Sequence, residues 1–269
     1  MRFMNWLQYI DTSKFILFAL ILTRISGLVM TAPIFGTADV PAQVRAFLAF
    51  SLAILILPSQ WTVAVANPDN LVNFLVIVAC ELLVGLSLGL GIVVLFTGLE
   101  VAGQIIGQVS GLAMAEIFDP AMDANVSVFS RMLSLVTLAV FVCIGGHRIV
   151  MAAMLDTFVA IPPGMAAMPD SLADCFATLV TQSFSLGIRA SAPAVTALLL
   201  GNLILGLIGR TLPQLNILVI GFSINSLLLF GFLLLSVGAA VWIFQSQVEP
   251  AVTLLTESWR LPNHADWLH

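Results

Sequence analysis

Apolar residues run through this chain in long blocks, punctuated by proline, glycine and isolated charges. Residues 15–35 carry a single charge, Arg24, over twenty-one positions, enough for one membrane crossing at 1.5 Å rise per residue. Pro33 and the stretch Gly36-Thr37-Ala38-Asp39-Val40-Pro41 break that block. A second block, 46–57 behind Arg45 and closed by Pro58, reaches full length only if its helix starts near Pro41. Trp61 then fits an interfacial belt. Asn67-Pro68-Asp69-Asn70 reads as a loop. Residues 71–99 form twenty-nine apolar positions interrupted by Glu81, longer than one crossing needs. Residues 101–115 keep a helical pattern, and the acidic stretch 116–125 with Pro120 reads as a loop.

The second half repeats the theme. Residues 126–145 are apolar, Gly146-His147-Arg148 breaks them, and a shorter helix runs to the stop at Pro162-Pro163-Gly164. Pro169-Asp170-Ser171 looks like a helix start with Asp170 or Ser171 as cap. Residues 175–208 are apolar except for Arg189, with Pro193 expected to kink them. Arg210-Thr211-Leu212-Pro213 is the next break. Residues 214–248 hold no charge for thirty-five positions, and a break is expected at 221–225. The tail from Glu249 reads as polar. The pattern thus predicts an all-α chain of six or seven principal helices, kinked or paired as hairpins, in one domain over residues 1–269.

Composition turns that pattern into a class. Of 269 residues, 60% are hydrophobic and 9% charged, with mean hydropathy +1.11. An average soluble domain carries about 25% charged residues. The surplus apolar surface must face lipid or other apolar subunits. The chain reads as an integral membrane protein. The N-terminus does not read as a cleavable signal, because its apolar block continues for a full span and no small-residue cleavage site follows it. Nine basic residues are too few, and too often inside apolar runs, for the positive-inside rule to orient the helices.

Charge and cysteine usage exclude several functions. The formal net charge is −5 and Lys14 is the only lysine, so no basic surface exists for nucleic acid. Cys80, Cys143 and Cys175 are far apart and read as small apolar fillers, with neither disulfide nor metal spacing. His147 reads as a polar loop residue, without nucleophile or metal-ligand partners. No catalytic, cofactor or metal site is expected.

Polar residues inside apolar blocks are the informative ones. A charge at the bilayer centre costs roughly 2.5–3.5 kcal/mol on insertion scales. Arg24, Glu81 and Arg189 are therefore expected to be buried, paired within an assembly or lining water. Gly103, Gly107 and Gly111 recur every four residues, and Glu100, Gln104 and Gln108 follow the same period on the adjoining face. The bare glycine stripe admits close backbone approach within the chain or between chains. A second cluster, Asn202, Arg210, Gln214, Asn216 and Asn225, serves either packing or the lining of a conduit. Met114 and Met122, near Pro120, are adaptable enough to seal a narrow path.

These clusters resemble the FliR family of flagellar export-gate proteins and its counterparts in virulence type III secretion. The match lies in Thr23-Arg24-Ile25-Ser26-Gly27 through Pro33 to Pro41 and Arg45, in Gly103-Gln104-Ile105-Ile106-Gly107-Gln108 through Gly111 to Asp119-Pro120, and in Asn202-Leu203-Ile204-Leu205-Gly206 through Arg210, Pro213-Gln214-Leu215-Asn216 and Gly221-Phe222. Ser223 departs from the proline that often follows Gly-Phe in the family. The resemblance implies a subunit packed with FliP- and FliQ-type proteins into a helical spiral, a channel for unfolded flagellar proteins. An FlhB-type switch protein is a further implied partner. The implied location is the bacterial inner membrane, within the flagellar basal body, with membrane lipid as a partner and much of the assembly standing proud of the bilayer on the periplasmic side. A plug over about 107–123 is implied, with Met114, Glu116, Phe118, Asp119, Pro120, Met122 and Asp123 as its candidates. The rival is a secondary transporter, which broken helices with internal charges also fit, although no inverted repeat is evident. The equivalent subunit of a virulence secretion system also remains open.

Overall fold

The computed structural model describes residues 12–34, 36, 40–63, 65, 70–111, 128–212, 214 and 217–259. Seven α-helices occupy them: α1 (Thr12–Thr31), α2 (Ala42–Ile56, continued by a 3-10 turn Leu57–Gln60), α3 (Leu71–Val109), α4 (Val128–Cys143), α5 (Gly146–Ala160), α6 (Leu172–Thr211) and α7 (Ile217–Ser258). Five are long and apolar enough to cross a membrane, or six if the two short helices flanking Gly145 together count as one. The all-α membrane class stands, and α2 does begin immediately after Pro41.

Helix ends follow local chemistry. Gly111 and Gly145 carry φ of 77° and 74° and stop α3 and α4, a left-handed backbone that glycine adopts without penalty. Pro162 and Pro163 follow the end of α5, and Gly164, at φ 89°, completes the turn. Ser171 precedes α6, but its hydroxyl donates to Ser258 O at 3.3 Å.

Four expectations change. α3 runs unbroken for 39 residues, about 58 Å, well beyond a hydrocarbon core of about 30 Å. α7 continues through 221–225, where Gly221 and Asn225 cost too little helix propensity to interrupt a 42-residue apolar helix. The segment after Glu249 is helical to Ser258, with Ala251, Val252 and Leu255 buried, because these positions continue the apolar stripe of α7. His147 lies in the first turn of α5, since the break falls one residue before Gly146.

The chain divides into two compact units, 1–93 with 146–177 and 249–269, and 94–145 with 178–248. In the first, α1 buries Leu17, Leu20, Ile21, Ile25 and Leu28, one helical stripe. Val84, Ile161, Leu172 and Trp259 form a further apolar cluster there. In the second, Phe96 meets Phe141 and Phe244 edge-on at 5.5 and 5.3 Å between ring centroids.

Candidate inter-subunit surfaces and a buried charge hub

In the first unit Arg24 reaches from α1 to Glu81 on α3. Arg24 Nε donates to Glu81 Oε2 at 2.5 Å, and both side chains are fully buried. Arg24 Nη1 also donates to Thr157 O at 3.1 Å and Ile161 O at 3.0 Å. The guanidinium lies over the Phe158 ring at 4.5 Å. Glu81 Oε1 accepts from Gly164 N at 2.7 Å. One ion pair thereby ties α1 and α3 to the C-terminal end of α5 and the turn that follows it. Only Arg24 Nη2 lacks a partner.

Glycine makes this pairing possible. A Cβ on Gly27 would stand 2.7 Å from Leu82 O, and one on Gly85 would collide with Arg24 O. Gly85 lies four residues after Glu81 and Gly27 three after Arg24, on the faces that carry the charges. The two backbones approach closely enough for the short Glu side chain to meet the guanidinium.

The second unit repeats the close approach, with hydroxyl and amide groups in place of a charge pair among the described residues. Gly98 and Gly187 pack backbone to backbone, and Ser183 Oγ donates to Val94 O at 2.5 Å. Gly103 lies against the Ser130 backbone. Ser130 Oγ donates to Glu100 O at 2.7 Å and Ser134 Oγ to Glu100 Oε1 at 2.9 Å. Asn202 Nδ2 donates to Val109 O at 3.4 Å, and Asn225 Nδ2 to Asn202 Oδ1 at 2.7 Å.

Residues 15–251 match the family described as bacterial export proteins, family 1. The chain belongs to this family. Flagellar biosynthetic protein FliR of Escherichia coli (strain K12) is 32% identical over 223 residues, 82% of each chain. FliR of Aquifex aeolicus (strain VF5) is 30% identical over 216 residues, covering 80% of this chain and 83% of that protein. Secretion system apparatus protein SsaT of Salmonella typhimurium is 27% identical over 165 residues, 61% of this chain and 64% of that protein.

For this member of the family, the residues singled out from sequence separate into three groups. Arg24 and Glu81 are buried and paired. Glu100 and Gly103 serve helix packing within the chain, and Gly107 is buried. Gln104, Gln108, Asn202, Arg210 and Gln214 are exposed, on a chain whose exposed surface is otherwise rich in Leu, Ile and Phe. Arg189 is not buried within the chain: it is exposed on α6, where Gln182 and Gln247 share an open cleft with it. Gly111 also leaves the glycine stripe, because it ends the helix instead of continuing its face. Met114, Glu116, Phe118, Asp119, Pro120, Met122, Asp123 and Asn216 lie outside the described residues.

Sequence reasoning missed Gly27, Gly85, Gly98, Gly187 and Ser183 as packing sites. The four-residue step from Glu81 to Gly85 was a usable signal. The match between Gly98 and Gly187 was not, since it joins positions 89 residues apart.

Proposed function

We propose that this chain is a subunit of the flagellar type III export gate in the bacterial inner membrane, at the flagellar basal body. It forms part of the channel through which unfolded flagellar proteins leave the cytoplasm. It docks against FliP- and FliQ-type subunits and an FlhB-type switch protein. The observation that carries this reading is the match to FliR over most of both chains. The injectisome relative matches over a shorter stretch, so the flagellar reading is preferred to the virulence one.

The geometry supports a structural role in an assembly. Gln104 and Gln108 stand one turn apart on an exposed face of α3. Amide groups facing hydrocarbon are costly. Facing another subunit, or a wet conduit, they gain hydrogen bonds. The same holds for Arg189, Gln182 and Gln247 around their cleft. Residues 113–123 take the part of the plug.

The test is a strain that lacks this chain, scored for swimming and for flagellin in the medium. Loss of both, restored by the wild-type chain, supports the proposal. Normal flagellin export without the chain refutes it.

A further inference from the structure

Helices α1 and α2 leave an open groove of about 900 Å³ between them, walled by Leu22, Val29, Met30, Phe47 and Phe50 among others. Phe18 packs edge-on against Phe50 and Lys14 lies over Trp61, so the two helices run antiparallel. The 42–45 end of α2 therefore sits beside the end of α1 near Met30. From Ala42 to Phe50 the trough follows α2 for about 12 Å.

The few polar groups in the groove differ in what they have left to give; Gln43, beside the start of α2, is exposed. Thr23 Oγ1 already donates to Ala19 O and Ser26 Oγ to Thr23 O, both at 2.8 Å. Arg45 is different: its Nε is closed off from solvent and has no hydrogen-bond partner. One turn earlier α2 begins at Pro41 without a side-chain cap. Its first free N–H groups add positive potential at the same end of the trough. A permanent positive charge thus stands at one end of an apolar trough, between two helices that are each long and apolar enough to span a bilayer.

We propose that this groove binds one anionic phospholipid, with its phosphate at Arg45 and the first turn of α2 and an acyl chain along the trough toward Phe50. The complementarity is double. A free inorganic anion gains nothing from the apolar wall. A neutral lipid leaves the guanidinium without a counter-charge, which is unfavourable beside hydrocarbon. An anionic lipid satisfies both halves, as the charge of Arg45 requires. The site does not depend on what the protein exports.

The test uses the full chain in nanodiscs of equal phosphatidylglycerol and phosphatidylethanolamine, extracted gently, with retained lipid identified by native mass spectrometry. The expected result is phosphatidylglycerol retained over phosphatidylethanolamine by about tenfold. Arg45→Gln brings the two lipids to parity, while Arg131→Gln, at an exposed arginine on α4, does not. Ala46→Trp fills the trough with Arg45 intact and expels both lipids. Equal retention by the wild-type chain, or an unchanged preference in Arg45→Gln, overturns the proposal. So does displacement of the lipid by millimolar inorganic phosphate. So does a gate complex in which position 45 crosslinks to another subunit and no lipid is retained.

Discussion

Arg24 and Glu81 stand 57 positions apart and meet as an ion pair from which solvent is wholly excluded. Thr157 O, Ile161 O and Gly164 N support the pair by satisfying its other groups, all but Arg24 Nη2. Removing one partner leaves the other charge buried and alone. Glu81→Ala is expected to destabilise the fold by about 3–5 kcal/mol. Arg24→Met with Glu81→Met is expected to cost far less than the two single changes combined. Thermal unfolding in detergent of all four chains measures this coupling. Additive losses would deny that the two residues act as a pair.

Glycines on these helices are not equivalent. Gly85→Ala pushes α3 off α1 at Arg24 and should cost about 1–3 kcal/mol. Gly231 is helical and a Cβ there meets nothing within 4 Å. Gly231→Ala should leave the stability of the isolated chain unchanged or raise it by up to about 1 kcal/mol. Folded yield from the membrane and melting temperature distinguish the two variants.

This contrast also marks how far the sequence could be read. Pro162-Pro163-Gly164 and Pro41 announce helix ends through local chemistry, and the structure places ends there. The charges Arg24 and Glu81 stand out inside apolar blocks because burying them is expensive. That they find each other depends on packing between α1 and α3, which no local signal encodes. Residues 221–225 and 249–258 misled in the opposite direction. A few polar or small residues suggest interruption, yet a buried stripe every three or four positions, Leu229, Leu233, Ser236, Ala240, Phe244, Val248, Ala251 and Leu255, apolar but for Ser236, holds α7 together. With apolar residues on every face of such a helix, that stripe is hard to see before the fold is known. Arg189 shows the limit of the same signal: a charge in an apolar run does not tell burial within the chain from a place beside Gln182 and Gln247 in an open cleft.

Trp259 shows what the C-terminal end of α7 contributes. Its Nε1 donates to Ser87 Oγ at 2.8 Å, and its ring is buried against Val84, Ile161 and Leu172. Trp259→Ala should cost about 3–5 kcal/mol through the cavity it leaves. Trp259→Phe keeps most of the packing and should lose about 1 kcal/mol with the hydrogen bond. Denaturation of the two variants in the same detergent gives the ratio.

If residues 113–123 plug the channel, shortening that stretch opens the resting gate to small solutes while the subunit still assembles. Leak of a small charged dye from cells expressing the shortened chain, with assembly confirmed by co-purification, checks this. A tight gate with a shortened segment would remove the plug role.

The exposed amides of α3 bear most directly on the account. Gln104→Cys and Gln108→Cys, introduced singly into the full chain and crosslinked in native membranes, are expected to join this protein to other gate subunits. The same positions should be shielded from a lipid-phase thiol reagent. A chain that purifies alone, uncrosslinked, with both cysteines open to that reagent would contradict the claim that its polar stripes exist to meet neighbouring subunits.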